Sequence, residues 1–221
     1  MSTTTVPTGY PVVHRLETPS DEEIERVTEI LVAAFDGDPF TNILMGGDLS
    51  LAPHQLRANA RAAAVGGEIH VACIGDQLED IVGAAIWYPP GTSGMASEDQ
   101  RAQGWNQFIA MLSDELRRWW MDYFIPSIKR LSAEPLGDDY LLNSWHLHIF
   151  GVLPQYQGKG IGKKMFKFVD DKAQKDNRAI ALETTTELDL LIYSRFGCKV
   201  RNEIDLHSKW GDGKVYLMTK E

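Results

Sequence analysis

Two cysteines in 221 residues, Cys73 and Cys198, stand far apart, with no CxxC pair and no Cys/His ladder beside them. Their scarcity excludes a disulfide framework and a zinc site legible from spacing, and it fits a reducing compartment. The sequence also lacks any run approaching the roughly 18 consecutive apolar residues of a membrane span. Its start, MSTTTVPTGYPVV, has neither the basic lead nor the roughly 7–15-residue apolar stretch of a secretory signal. A soluble, cytoplasmic chain with no membrane partner is expected. Positive charge is in deficit, 22 Lys and Arg against 31 Asp and Glu for a formal net charge of -9. Nucleic acid is therefore not an expected partner, since binding it needs a basic face to displace counterions. Repeats and low-complexity tracts are absent, and the length suffices for one domain with its own core.

The positive charge that is present gathers in one place. Between Gln155 and Lys175, Lys159, Lys163, Lys164, Lys167, Lys172 and Lys175 stand against only Asp170 and Asp171. They accompany the glycine-rich stretch Gln157, Gly158, Lys159, Gly160, Ile161, Gly162, which follows an apolar strand pattern, WHLHIFGV (145–152). Glycine lets the backbone turn tightly and removes side chains that block approach, so several N–H groups can converge on one anion. An acidic chain that collects lysines at such a loop suits a small polyanion rather than a long one. Phosphate is the expected anion.

In chain order, 1–9 reads as a frayed lead and VVHRL (12–16) as a first strand. Ser20 and Glu23 form a capping-box pattern, and Ile24, Val27, Ile30, Leu31, Ala34 and Phe35 recur at helical spacing, which predicts a helix over 21–35. A second helix is expected from Leu51 or Pro53 to Val65, closed by Gly66 and Gly67. Between the two, Phe35 to Met45 reads either as core or as the wall of an acceptor site. EIHVACIGD (68–76) and DIVGAAIWY (80–88) predict a hairpin. Residues 91–136 are expected to form a helical, aromatic-rich insertion with a break at Pro126. Its Trp105, Phe108, Trp119, Trp120, Tyr123 and Phe124 fit a cap over a substrate pocket as well as the core side of two helices. A strand over 140–152, expected to be the longest, and a helix over 160–176 follow, the helix with Ile161, Met165, Phe168, Val169 and Ala173 on one face. AIALETT (179–185) predicts a central strand and 187–196 a short helix stopped by Gly197. Residues 199–206 and 214–220 predict a closing hairpin turned by WGDG (210–213). This order predicts an α/β (α+β) domain, a mixed sheet flanked by helices.

Two familiar glycine loops fail on spacing. A Walker A loop needs glycine where Gln157 stands and Ser or Thr where Lys164 stands, and a dinucleotide fingerprint needs glycine at Lys163. The stretch instead resembles the Q/R-x-x-G-x-G/A loop of the GNAT acetyltransferases. VLPQYQ (152–157) is similar to the family's V-x-P-x-x-(R/Q) approach to that loop, ALET (181–184) suits the next strand, and LIYSRFGC (191–198) is similar to the later L-Y-x-x-x-G-F helix end. These motifs span 145–200, and the N-terminal half agrees in element order alone. With its long insertion before the loop strand, the chain is loosely similar to the puromycin-acetyltransferase-like branch.

The resemblance implies a GNAT acyl-CoA N-acyltransferase fold over 1–221 as a single domain, its mostly antiparallel sheet splayed at the strand before the loop. Residues 137–221 would form the CoA-binding and catalytic half. Acetyl-CoA is the implied co-substrate, with no metal, and the acetyl group passes directly to a small-molecule amine in a ternary complex. A protein or peptide acceptor, or a CoA-binding module without turnover, are the alternatives. Backbone N–H groups from Gln157, Gly158, Lys159, Gly160, Ile161, Gly162 and Lys163 would cradle the CoA pyrophosphate. Phe150, Gly151 and Val152 would pair with the pantetheine arm, and the Val152 N–H would face the thioester carbonyl. Thr186 stands where many members carry an asparagine that holds the pantetheine. Tyr193 occupies the position of the tyrosine that protonates or hydrogen-bonds the departing thiolate. An alkylammonium is mostly protonated at neutral pH, so a base is needed. Glu183, on the strand beside the active cleft, is the favoured candidate, and His146 and His148 are the others, lying two apart and so on the strand face of Phe150. A metal at the two histidines lacks a third ligand in the sequence. A monomer or homodimer is expected.

Overall fold

The structure is a computed structural model that describes residues 11–221, so the expectation for 1–9 lies outside the described residues. Seven strands, β1 (Val12–Leu16), β2 (Glu68–Cys73), β3 (Ile81–Tyr88), β4 (Trp145–Val152), β5 (Ile180–Thr184), β6 (Lys199–Ser208) and β7 (Gly211–Lys220), make one sheet. Their order is β1-β2-β3-β4-β5-β7-β6, antiparallel throughout except where β4 meets β5. One face carries α1 (Asp21–Ala34) and α3 (Ala52–Gly66), and the other carries α8 (Ile161–Lys175) and α9 (Glu187–Arg195). The short α2 (Pro39–Leu44) and the insertion helices α4 (Glu98–Arg101), α5 (Trp105–Met111), α6 (Asp114–Arg118) and α7 (Ile125–Leu136) complete the chain. None of the described helices is long and apolar enough to cross a membrane.

Local sequence explains the helices that matter for the site. Ser20 caps α1 by accepting from the Glu23 N–H at 3.2 Å, while the Glu23 carboxylate accepts from the Ser20 N–H at 2.8 Å. Ile24, Val27, Ile30 and Leu31 then fall on one stripe and are buried against the sheet. Burial of each such side chain contributes about 1.5–3 kcal/mol. In α8 the buried stripe is Ile161, Met165, Phe166, Val169 and Ala173. Phe166 thus takes the core place expected of Phe168, its ring 6.0 Å from Trp87 and 4.9 Å from Phe196, and Phe168 is only half-buried beside His70.

The aromatic insertion builds a second core. Met45, Leu51, Phe108, Leu112, Leu116 and Trp120 are buried together, with Trp105, Trp119, Phe124 and Trp210 packed around them. The Trp120 indole N–H donates to the Leu44 carbonyl and the Trp119 indole N–H to the His207 carbonyl, both at 2.8 Å. The insertion is thereby tied to α2 and to the β6–β7 hairpin, and Met45 belongs to core.

Four expectations about boundaries are corrected. Residues 140–144 are not strand: Ser144 Oγ donates to the Tyr140 carbonyl and Asn143 Nδ2 to the Asp139 carbonyl, which ties them into a turn, and β4 begins at Trp145. The longest strands are β6 and β7, ten residues each. Their hairpin turns at Lys209 and Trp210, and Gly211 and Gly213 lie inside β7. Gly213 marks a close approach: a Cβ there would sit 2.8 Å from the Phe40 ring of α2. Pro126 does not break the insertion. It lies in the first turn of α7, where no N–H is required, directly after a widened π-helical segment over Trp119–Phe124.

Candidate active site

The sheet opens at one seam. β4 pairs with β3 from end to end, but with β5 only through Trp145–Ile180, His146–Ala181 and Leu147–Leu182. Beyond Leu147 the two parallel strands diverge, which is the splay expected before the glycine loop. Val152 is paired with Gly83, and the Leu153 N–H donates to the Val82 carbonyl at 2.9 Å. That pattern makes Val152 and Gly83 a non-hydrogen-bonded pair. The N–H and C=O of Val152, and of Phe150 two residues back, therefore face the side that β5 has left. Gln157 Nε2 donates to the Val152 carbonyl at 2.9 Å and so folds the loop onto the strand end.

The loop that follows presents backbone rather than side chains. Gly158 and Gly160 have φ of +71° and +80°, and a Cβ on either would meet nothing within 4 Å. Glycine is needed there for the left-handed backbone, and the ground above the loop is open. Gly160 caps α8 without any side-chain hydrogen bond, so the first N–H groups of Ile161, Gly162 and Lys163 have no intrahelical acceptor. Lys159 and Lys163 are exposed beside them, the Lys159 ammonium 5.2 Å from the Tyr156 ring centroid. Lys167 and Lys172 are drawn away into pairs with Asp171 at 2.5 Å and Glu68 at 3.4 Å. Converging N–H donors, an open left-handed turn and two lysines fit a pyrophosphate.

A β-bulge reorganises the strand just before this. The register of β3 with β4 slips between Ile86–Ile149 and Trp87–Leu147, which leaves His148 as the extra residue. Alternation is reset across it. His146 and His148 both turn toward the α1 and α3 face, whereas Phe150 turns toward α8, 3.4 Å from where a Cβ on Gly162 would lie. The expectation that the histidines share a face with Phe150 fails for this reason.

His148 Nε2 lies 2.8 Å from Asn59 Oδ1 in α3, and its ring meets Tyr88 edge-on at 5.5 Å and His146 at 5.8 Å. The residue is exposed to solvent, with the Nε2 end of its ring turned inward to Asn59. Burial of the ring, helped by His146 and opposed by Glu183, pushes its pKa down to about 4. It is neutral at neutral pH. His146 Nε2 lies 2.7 Å from Glu183 Oε2, both side chains largely buried. Burial lowers the His146 pKa, but the Glu183 charge and hydrogen bond outweigh it and raise the value. Glu183 responds in kind: burial raises its pKa, and His146 more than compensates and holds it low. The other carboxylate oxygen, Oε1, is buried without a hydrogen-bond partner among the described residues.

Tyr193 lies on the opposite face, buried between the rings of Phe166 at 6.1 Å and Phe196 at 6.0 Å. Burial, with Asp189 and Cys198 adding to it, pushes its pKa well up, so it stays a phenol. Its hydroxyl has no hydrogen-bond partner among the described residues. Thr186 caps α9: its hydroxyl donates to Asp189 Oδ2 at 2.6 Å and accepts from the Asp189 N–H at 3.1 Å. The candidate residues thus form two groups on either side of the seam, with Phe150, the loop and Tyr193 toward α8 and α9, and His146, His148 and Glu183 toward α1 and α3. Among the described residues, no three His, Cys, Asp or Glu side chains are placed to hold a metal ion.

Asn59 is the residue that sequence reasoning missed. It sits in the buried stripe of α3 with Leu56, Ala60 and Ala63, only 2 % exposed. A lone amide among buried apolar positions needs a partner, and that was the signal available.

A family model described as the acetyltransferase (GNAT) family matches residues 68–191, more than half of the chain. No curated relative matches the sequence. Among solved structures, the mosquito arylalkylamine N-acetyltransferase like 5b is similar over 96 % of this chain and 99 % of its own, with TM-score 0.64 and 18 % identity. A histone acetyltransferase HPA2 and related acetyltransferase from Corynebacterium glutamicum is similar over 95 % of each chain, with TM-score 0.61 and 18 % identity. The polyamine N-acetyltransferase of Drosophila melanogaster is similar over 95 % of this chain and 99 % of its own, with TM-score 0.59 and 13 % identity. At these identities the likeness is one of fold.

Proposed function

The chain belongs to the GNAT family of acetyl-CoA-dependent N-acetyltransferases, and on that premise we propose that it acetylates the amine of a small molecule by direct transfer in a ternary complex. The observation that carries this reading is the seam: β5 leaves β4 after Leu147, and the Val152 N–H faces the opening with the neutral His148 ring across the strand. Bound acetyl-CoA supplies an activated thioester, which an amine attacks to form an amide and release the thiol. The loop from Gln157 to Lys163 holds the pyrophosphate through backbone N–H groups at the start of α8. Phe150 and Val152 offer backbone pairing to the arm of the donor, with Gly151 between them. The Val152 N–H donates to the carbonyl oxygen as charge develops there, a contribution of about 2.7–4 kcal/mol for one such donor.

The incoming ammonium gives one proton to water before attack, and His148, neutral, solvent-reaching and on the side away from α8, takes a second as the C–N bond forms and the nitrogen becomes far more acidic. The His146–Glu183 pair lies beside it. Tyr193 stays protonated and donates to the departing thiolate. Thr186 serves the donor arm only through the α9 terminus that it caps. The insertion is bridged to α2 and the β6–β7 hairpin through the second core, and a small acceptor rather than a peptide is the class we infer. Fold neighbours named for polyamine and arylalkylamine acetylation agree with that size class. The test is thiol release and product mass for a panel of amines and, side by side, of lysine and N-terminal peptides. Acetylated small amines support the reading; acetylated peptides alone reverse the acceptor class. No acetyl-CoA consumption with any acceptor, and no rise in melting temperature with acetyl-CoA, would sink it.

A further inference from the structure

We propose that Asn59 is a positioning residue that fixes His148 as the Nε2-protonated tautomer, making it a one-ended base that both takes and gives up the proton at Nδ1. The proposal rests on the reading of His148 as the base.

The tautomer follows from a chain of hydrogen bonds. Asn59 Nδ2 donates to the Gln55 carbonyl at 2.9 Å, and a carbonyl can only accept. The amide is thereby oriented, and the atom 2.8 Å from His148 Nε2 is Oδ1. An amide oxygen has no proton to give, so Nε2 must be the donor. A neutral imidazole carries one N–H, which leaves the lone pair on Nδ1. Nδ1 has no partner among the described residues. No group facing the ring hydrogen-bonds its Nδ1 among the described residues: Tyr88 from β3 meets it edge-on with its own hydroxyl unpartnered among those residues, His146 from β4 is 5.8 Å away centre to centre, and Glu183 from β5 binds His146 through Oε2. Asn59 is buried, so water does not compete for Oδ1.

The same contact closes the far end of the ring. As the new C–N bond forms and the C–S bond breaks, an amine N–H bond breaks and an Nδ1–H bond forms. An amide oxygen does not take up that proton, so the imidazolium cannot pass it on through Nε2. It leaves from Nδ1 to water, and the ring returns to its neutral form. The pair of His146 with Glu183 then sets the local field without lying in line.

Long-range 1H–15N NMR of the whole protein, with His148→Ala used for assignment, reads which nitrogen is protonated whether or not any amine is turned over. The expected wild-type result is Nε2–H alone. Asn59→Leu, which keeps the side-chain shape and removes the acceptor, should give mixed tautomers and lower kcat/KM about tenfold, within the range of general-base effects. Asn59→Asp keeps an acceptor but adds a charge, so it should hold the tautomer and move the acidic limb of kcat/KM upward by about one pH unit or more. An Nδ1–H signal in the wild-type protein overturns the proposal. So does an Asn59→Leu protein with wild-type tautomer and pH profile. If that variant does not fold, an unmoved acidic limb in Asn59→Asp overturns it. Acetyl transfer that survives His148→Ala unchanged would defeat the base assignment, a separate result from the tautomer.

Discussion

Gly151 and Ala34 approach so closely that no side chain fits between them. A Cβ on Gly151 would sit 2.7 Å from Ala34 Cβ and 3.1 Å from Leu31 Cδ2. The glycine of the donor strand is therefore fixed by the packing of α1, quite apart from any ligand.

Gly151→Ala should cost about 1–3 kcal/mol in chemical unfolding, because the groups it strikes belong to a buried helix face. Gly83→Ala is the control. Its Cβ would meet Met165 Sδ at 2.7 Å, a flexible side chain that can swing away, so a smaller loss is expected. Equal losses would mean that α1 yields as readily as a methionine.

Gly160→Ala separates stability from binding. Its φ of +80° strains any residue with a Cβ by about 1–2 kcal/mol, yet the space around it is open. We expect a modest fall in melting temperature and a much larger rise in KM for acetyl-CoA, with kcat/KM for the amine at saturating donor little changed. An unchanged KM would remove the loop from the donor site.

Tyr193→Phe deletes a hydroxyl with no hydrogen-bond partner among the described residues, in a buried aromatic cluster, so folding should be near neutral. The rate should fall roughly 10- to 100-fold if the phenol assists the leaving thiolate. Steady-state assays with donors of graded thiol pKa check this, since a better leaving group should shrink the defect.

The pair of His146 with Glu183 gives a signed pH dependence. Glu183 is held below the usual carboxylate range, so its contribution is present above the unfolded value of about 4.3 and is lost as pH falls through the folded one. His146 is raised, so its contribution is complete below the unfolded value of about 6.5 and is lost as pH rises through the folded one. Glu183→Gln should therefore destabilise most between about pH 4.3 and 6.5, by about 1.5–3 kcal/mol, and less at pH 9. Thermal melts across that range decide it, and a loss that grows toward pH 9 would contradict the assigned ionisation.

What was legible in the sequence follows from the range of the interactions involved. The loop from Gln157 to Gly162, the α1 cap and the helix ending at Gly197 are set by neighbours a few residues away, and these were read directly. The orientation of Phe150 relative to His146 was not, because one inserted residue in β4 reverses alternation and only the partner strand reveals it. The Asn59 contact spans 89 positions in the chain. The aromatics of the insertion were visible, but whether they wall a pocket or make a core depends on Leu44, Met45 and Trp210, brought in from elsewhere. Gly211 and Gly213 imitated a turn because closeness to α2 and reversal of direction demand the same residue.

Within the sheet, among the described residues, only three register pairs link the block β1–β4 to the block β5–β7–β6. A donor lying along Phe150 and Val152 would occupy the place of a missing strand. Substrate supply then becomes a determinant of protein lifetime: at 100 times its dissociation constant a ligand adds about 2.7 kcal/mol to stability. Cells poor in acetyl-CoA would lose such an enzyme to proteolysis sooner than cells rich in it.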